Sequence, residues 1–147
     1  MIALVQRVKS CTMSSIGHQT QSIDRGVLVF LGIEGTDSNE DVKYMTQKLI
    51  KLRIFNDSND KMNLSIQDID GEIMVISQFT LCGDTQKGNR PSYINAMRPD
   101  NAEILYNHFV NDMRDIYRKI KTGVFQANMD VSLVNDGPVT LILRSKT

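Results

Sequence analysis

The sequence predicts one strand-rich α/β domain with two helices. Two β-prone apolar runs, Gly26 to Ile33 and Glu72 to Phe79, each open at glycine or a turn signal. Two longer segments, after Ser38 and after Asp100, repeat apolar residues at helical spacing. A chain of 147 residues is long enough to bury a real core, and residues 1–147 read as a single domain with no linker or internal repeat.

Met1 to Val8 reads as a strand that begins at once. Cys11 to Asp24 is polar and fits short exposed strands or a hairpin. Gly26 to Ile33 is a continuous apolar run, the mark of a strand buried on both faces. Ser38 is the N-cap of the first helix, with Asp41 closing a weak capping box. Val42, Met45, Leu49 and Leu52 form its apolar face. Asn56 to Lys61 is a turn. It imitates a calcium loop but lacks the glycine and distal glutamate at their offsets.

Asp70-Gly71 introduces the strand Glu72 to Phe79. Cys82 to Pro99 has little periodicity and contains the basic loop Lys87-Gly88-Asn89-Arg90-Pro91-Ser92. Asp100, with Glu103 three residues on, is expected to cap the second helix. Leu105, Phe109, Met113, Ile116 and Ile120 would be its buried stripe, with Arg114, Arg118, Lys119 and Lys121 in its last turns. The chain closes with two strands, Met129 to Val134 and Val139 to Leu143, joined by Asn135-Asp136-Gly137-Pro138 as a hairpin turn.

Composition narrows the function. Seventeen basic and seventeen acidic residues cancel, so any nucleic-acid partner must meet a local patch such as Lys87, Arg90 and Arg98. Such clusters are more often solvated surface. Cys11 and Cys82 have no paired spacing, so no disulfide framework, metal site or cofactor is expected. The longest apolar run is too short for a membrane span, and no basic n-region precedes a long apolar stretch. A cytoplasmic protein without a membrane partner is the expectation.

Side-chain catalysis has little support. Ser77 or Thr80 would need an adjacent base to act as nucleophile, and only His18 and His108 are imidazoles. Ser77 with His108 in a small-molecule esterase or amidase stays open as one alternative. Gly137-Pro138 by itself reads as a turn, since only about 5–6% of X-Pro bonds are cis.

Two segments change the balance: Ser77-Gln78-Phe79-Thr80-Leu81, and Asn135-Asp136-Gly137-Pro138-Val139-Thr140. They resemble the two signature motifs of the D-aminoacyl-tRNA deacylase family. The resemblance extends through Gln6-Arg7-Val8, Leu52-Arg53-Ile54-Phe55, Lys61 to Ser65, Lys87 to Ser92 and Met129 to Val134. Thr12 to Arg25 departs from the pattern.

The resemblance implies a strand-rich, barrel-like sheet with two main helices. It also implies a homodimer with active sites at the subunit interface. Ser77, Gln78, Phe79 and Thr80 of one subunit would face a cis Gly137-Pro138 step of the other. Phe125 and Met129 become candidates for the wall that holds the terminal adenosine at the 3′ end of aminoacylated tRNA. The implied reaction is ester hydrolysis of D-aminoacyl-tRNA, and of glycyl-tRNA mischarged on tRNA-Ala, with main-chain donors and the substrate 2′-hydroxyl assisting. A nucleic-acid-binding module without turnover is the alternative from another class.

Overall fold

The computed structural model describes residues 1–146. Its elements run β1 (Ile2–Ser14), β2 (Gln21–Ile23), β3 (Gly26–Gly32), α1 (Asn39–Lys51), β4 (Phe55–Asn56), β5 (Met62–Leu64) and β6 (Glu72–Ser77). A short 3-10 turn (Phe79–Cys82), α2 (Pro99–Ile116), β7 (Ile120–Thr122) and β8 (Asp130–Arg144) complete it.

The main sheet has the order β2-β1-β3-β6-β7, with β8 along the other edge of β1. β3 and β6 pair in parallel, as do β6 and β7. The sheet curls until β7 meets β2, where Lys121 donates to the carbonyl of Ser22. The result is a nearly closed barrel-like sheet with two helices outside it.

The curl explains the continuous apolar runs. Val27, Val29 and Leu31 of β3, with Ile73 and Val75 of β6, face the helices. Leu28, Met74 and Ile76 alternate inward to join Val8, Cys11, Met13 and Ile23 inside the curl. These strands are buried on both faces, so neither face can be polar. The hairpin expected in Cys11 to Asp24 is present, since β1 pairs antiparallel with β2, but Cys11, Met13 and Ile23 are buried, and exposure is confined mainly to the turn at residues 16–20. The side chains inside the curl need a wall, and the long β1 supplies it.

α1 begins as expected. Ser38 is its N-cap, and the Asp41 carboxylate accepts the Ser38 N–H at 2.9 Å. Val42, Met45 and Leu49 are buried, while Leu52 falls at the C-cap and packs against the core from there. The α-ammonium of Met1 is buried nearby and donates to Asp37 at 2.6 Å.

α2 departs from expectation at both ends. Its N-cap is Arg98 and Pro99 opens it, so Asp100 is a first-turn acid rather than the cap. Proline fits that position because its missing N–H would have no partner there. The helix ends at Ile116, which is exposed, and its buried face is Ala102, Tyr106, Phe109, Val110 and Met113. Ile120 belongs to β7, so Arg118, Lys119 and Lys121 lie beyond the helix, and only Arg114 is in its last turn. The apolar spacing of a buried short strand continued the helical register by coincidence.

The Asn/Asp cluster after β4 is occupied by its own turn. The Asp57 carboxylate accepts the N–H groups of Asn59 at 2.9 Å and Lys61 at 3.1 Å.

The largest correction concerns the end of the chain. Residues 130–144 form one strand, not a hairpin, and pair antiparallel with β1 along nearly all of its length. The register shifts where Gln6 faces Thr140 and Val8 faces Asn135. Arg7 alone therefore stands opposite Asp136 to Val139, and Gly137-Pro138 bulges out of a continuous ladder. β1 runs on past the bulge on both sides, so the second half of β8 keeps its direction.

Asp41 makes the α1 end pH-sensitive. Burial, the largest influence, would raise its carboxyl, but bonds from the Ser145 hydroxyl, the Ser38 N–H and the Lys146 ammonium outweigh it. The folded pKa is held below the ordinary carboxylate value of about 3.9. A depressed folded pKa contributes stability above the unfolded value, and that stability is lost as pH falls through the folded one. Urea denaturation between about pH 5 and pH 2 should show Asp41→Asn losing less stability on acidification than the wild type.

Candidate functional site

A cavity of about 670 Å³ opens at the carboxyl ends of β3 and β6. That end of parallel strands is where open α/β sheets place ligands, because backbone groups and loops converge there. Its floor is Leu31, Ile33 and Ile76. One wall is the chain turning off β6 at Ser77, Gln78 and Phe79; a second is Phe125 to Met129; a third is Tyr93 with residues 96–99.

The turn off β6 is built by hydrogen bonds and by a glycine. Gln78 N–H donates to the Leu31 carbonyl at 2.8 Å, ending the parallel ladder. Leu81 N–H donates to the Gln78 carbonyl at 3.2 Å and Gly83 N–H to the Thr80 carbonyl at 3.1 Å, closing the 3-10 turn. The N–H groups of Phe79 and Thr80 come before Leu81, the first donor of that turn, so the turn itself leaves them unpartnered. Gly32 lets the turn fold over the end of β3: a Cβ there would lie 3.0 Å from the Leu81 Cβ and 3.1 Å from the Gln78 carbonyl oxygen.

The candidate residues separate into three groups. Ser77, Gln78, Phe79, Phe125 and Met129 all line the cavity. Thr80 does not; it sits exposed beside it, with its hydroxyl accepting from the Gln78 side-chain amide at 2.5 Å. Gly137 and Pro138 are exposed on β8 and line no part of their own chain's cavity. The peptide bond between them is cis, against the turn reading and in accord with the resemblance.

Beneath that bulge lies Arg7, which sequence reasoning placed only as part of a matching segment. Its guanidinium is buried and donates to the Asp136 carbonyl at 3.1 Å and the Ile54 carbonyl at 2.6 Å, and it pairs with the Asp136 carboxylate at 3.3 Å. The Asn135 amide donates to the carbonyls of Arg7 at 3.0 Å and Val139 at 3.2 Å, replacing the ladder bonds lost in the bulge. Gly137 has φ +117°, and a Cβ on it would come 2.5 Å from the Arg7 Nη2. Only glycine suits both the backbone angle and the approach.

Tyr93 was also missed. Its ring stands edge-on to Phe79 with centroids 5.2 Å apart, at the cavity mouth. No periodicity surrounds it, so the sequence carried no signal for it. On the opposite wall Phe125 packs on the Tyr106 ring at 5.6 Å, and the Met129 sulfur accepts the Val124 N–H at 3.3 Å.

The cavity is chemically quiet. Among the described residues that line it there is no Asp, Glu, His, Lys or Cys. His108 instead faces Asn39 at 2.9 Å and Asp112 at 3.4 Å, so the Ser77–His108 pairing is not formed. His18 is exposed in the turn after β1. Burial, helped by the charges of Glu34 and Asp37, pushes the Cys82 thiol up to about 11, and burial does the same to Cys11. Neither thiol is a nucleophile near neutral pH. The described residues contain no metal-spaced cluster of three His, Cys, Asp or Glu.

A family model described as D-Tyr-tRNA(Tyr) deacylase matches residues 4–144. The chain belongs to that family. A D-aminoacyl-tRNA deacylase of Thermodesulfovibrio yellowstonii is 51% identical over 146 residues, covering 99% of this chain and 100% of the relative. One from Thermosipho africanus is 52% identical, with 99% and 98% covered.

Among solved structures, a c-Myc DNA unwinding element binding protein superposes with TM-score 0.95 at 41% identity over all of both chains. A probable eukaryotic D-amino acid tRNA deacylase shares the fold, with TM-score 0.83 at 17% identity over 97% of each chain. No helix among the described residues is long and apolar enough to cross a membrane.

Arg7→Met keeps the apolar stem and removes the fork. It leaves the Ile54 carbonyl and Asp136 without their donor, and a loss of about 3 kcal/mol is expected, measured as a lower urea midpoint.

Proposed function

We propose that this chain is a trans-editing hydrolase that cleaves the ester of D-aminoacyl-tRNA to free amino acid and tRNA. The observation that carries this is the cavity: the turn at Phe79, whose N–H has no partner within that turn, forms one wall of a mostly apolar chamber that has no carboxylate or imidazole among its described lining residues. An aminoacyl ester suits such a site. It is already labile, and its own 2′-hydroxyl can orient the water. Positioning and oxyanion stabilisation are then sufficient catalysis.

In the proposed reaction water adds to the ester carbonyl within reach of the N–H groups of Phe79 and Thr80, which stabilise the oxyanion. Collapse of the tetrahedral intermediate breaks the bond to the ribose 3′-oxygen, which takes a proton by way of the 2′-hydroxyl. Phe125 and Met129 hold the terminal adenosine. Ser77 and Gln78 shape the wall beside the ester. The cytoplasm, where tRNA is charged, is the setting of such a reaction.

The stereochemical gate is proposed to come from a second copy. Gly137 and Pro138 lie on the exposed edge strand β8, away from their own cavity, and Val134 and Ile142 on the same strand are exposed apolar residues. A long unpaired edge carrying apolar side chains invites a partner. In a homodimer the partner subunit's Gly137 and Pro138 would present carbonyls to the substrate α-ammonium. With the ammonium and the ester both held, a D side chain points outward and an L side chain meets main chain. Glycine has no side chain to exclude, so glycyl-tRNA, including that mischarged on tRNA-Ala, should be hydrolysed.

A second reading has one specific observation in its favour. A structural relative with 41% identity is named for binding a DNA element. On that reading the protein binds nucleic acid without turnover.

The test is single-turnover deacylation of D-tyrosyl-tRNA beside L-tyrosyl-tRNA, using chelator-treated protein. Rapid loss of the D ester with the L ester spared is expected. Equal rates on both would remove the gate, and salt-dependent binding without hydrolysis would favour the binding module.

Thr80→Ala should retain substantial activity, because no acyl-threonine forms. Trapping such an intermediate by mass spectrometry would overturn that mechanism. Gly137→Val should cost far more activity than Ser77→Ala, by about 10² or more, the scale of a lost positioning element.

A further inference from the structure

Arg98 is the one ionic side chain among the described residues lining the cavity. It precedes Pro99 at the start of α2, on the wall that also carries Tyr93 and Met97. No ion pair among the described residues involves it. The nearest acids in sequence, Asp100 and Glu103, are exposed on α2 and do not line the cavity. A free guanidinium on an otherwise uncharged wall is suited to an anion, and its planar fork matches phosphate oxygens in particular.

The aminoacylated end of a tRNA offers little choice of anion. The adenine, ribose and ester are neutral, and the amino group is cationic. The permanent negative charge of the terminal nucleotide is its 5′-phosphate.

We propose that Arg98 binds the 5′-phosphate of the terminal nucleotide, so that the cavity recognises a nucleotide and not only an ester. This rests on the deacylation proposed above and adds a binding residue to it. The charge also sets the direction of the substrate: the α-ammonium is repelled from the Arg98 wall and lies toward Ser77 and Gln78. The loop closed by the Asp84–Ser92 pair, next to Tyr93, carries Lys87 and Arg90, the cations that the preceding phosphates would meet.

The test uses two small substrates, the 3′-D-tyrosyl esters of adenosine and of adenosine 5′-monophosphate. The ratio of their kcat/KM values is read within one protein preparation, so partial misfolding of a variant cancels. The wild type should prefer the phosphorylated ester about tenfold, the scale of a charge-assisted hydrogen bond. Arg98→Ala should bring the ratio close to one, and Arg98→Lys should keep part of it. An unchanged ratio in Arg98→Ala, or a wild-type ratio of one, would overturn the assignment while leaving deacylation intact. Failure of the wild type on both esters and on D-tyrosyl-tRNA would overturn deacylation itself, and this inference with it.

Discussion

One buried guanidinium fixes the bulge in the ladder that joins the two ends of this chain. Arg7 lies on β1 at the place where β8 would otherwise run past in plain register, and it is bonded at once to Asp136 and to the Ile54 carbonyl beyond α1. A buried arginine is stable only when its donors are met, since desolvating the charge costs several kcal/mol. Here the partners include main-chain carbonyls that a bulge and a helix exit leave free. The cost of burial and the cost of the bulge are thus met by the same contacts. The Asn135 amide, bonded to the Arg7 and Val139 carbonyls, closes the bulge from its other side.

The cavity depends on a different constraint, the ending of two parallel strands. β3 and β6 stop side by side, and the chain must leave β6 without burying unpaired backbone. The 3-10 turn does this with bonds that do not use the N–H groups of Phe79 and Thr80. Gly32 permits the close approach, and the Tyr106 hydroxyl caps the Val75 carbonyl at 3.0 Å on the helix side. The turn is therefore anchored to the packed end of the parallel pair. The oxyanion stabilisation proposed above would draw on main-chain donors of that turn.

The charge distribution matches this economy. Acidic groups are engaged elsewhere: Asp37 with the Met1 ammonium, Asp41 at the α1 cap, Asp57 and Asp68 in their own turns. Among the described residues lining the cavity, Arg98 is the one ionic side chain. A neutral overall charge is compatible with the proposed tRNA substrate, because the proposed contacts lie at one end of one strand pair.

Much was determined by the sequence alone. The buried strands at Gly26 and Glu72, the α1 cap at Ser38 and the α2 core face around Phe109 and Met113 all follow from local spacing and propensity. The two motifs stood out by resemblance alone. Tertiary structure decided what local spacing could not. Ile120 fits a helical repeat yet belongs to β7, because parallel pairing with Ile73 outweighs one more helical turn. Gly137-Pro138 reads as a hairpin turn yet is a bulge, because β1 runs unbroken past it and Arg7 fills the gap. Ser77, Phe125 and Met129 meet in one cavity, and Tyr93 and Arg98 with them, only when β6 and α2 converge. Propensity acts over a few neighbouring residues, while strand pairing and burial of a charge act between residues more than a hundred apart in the chain, as between Arg7 and Asp136.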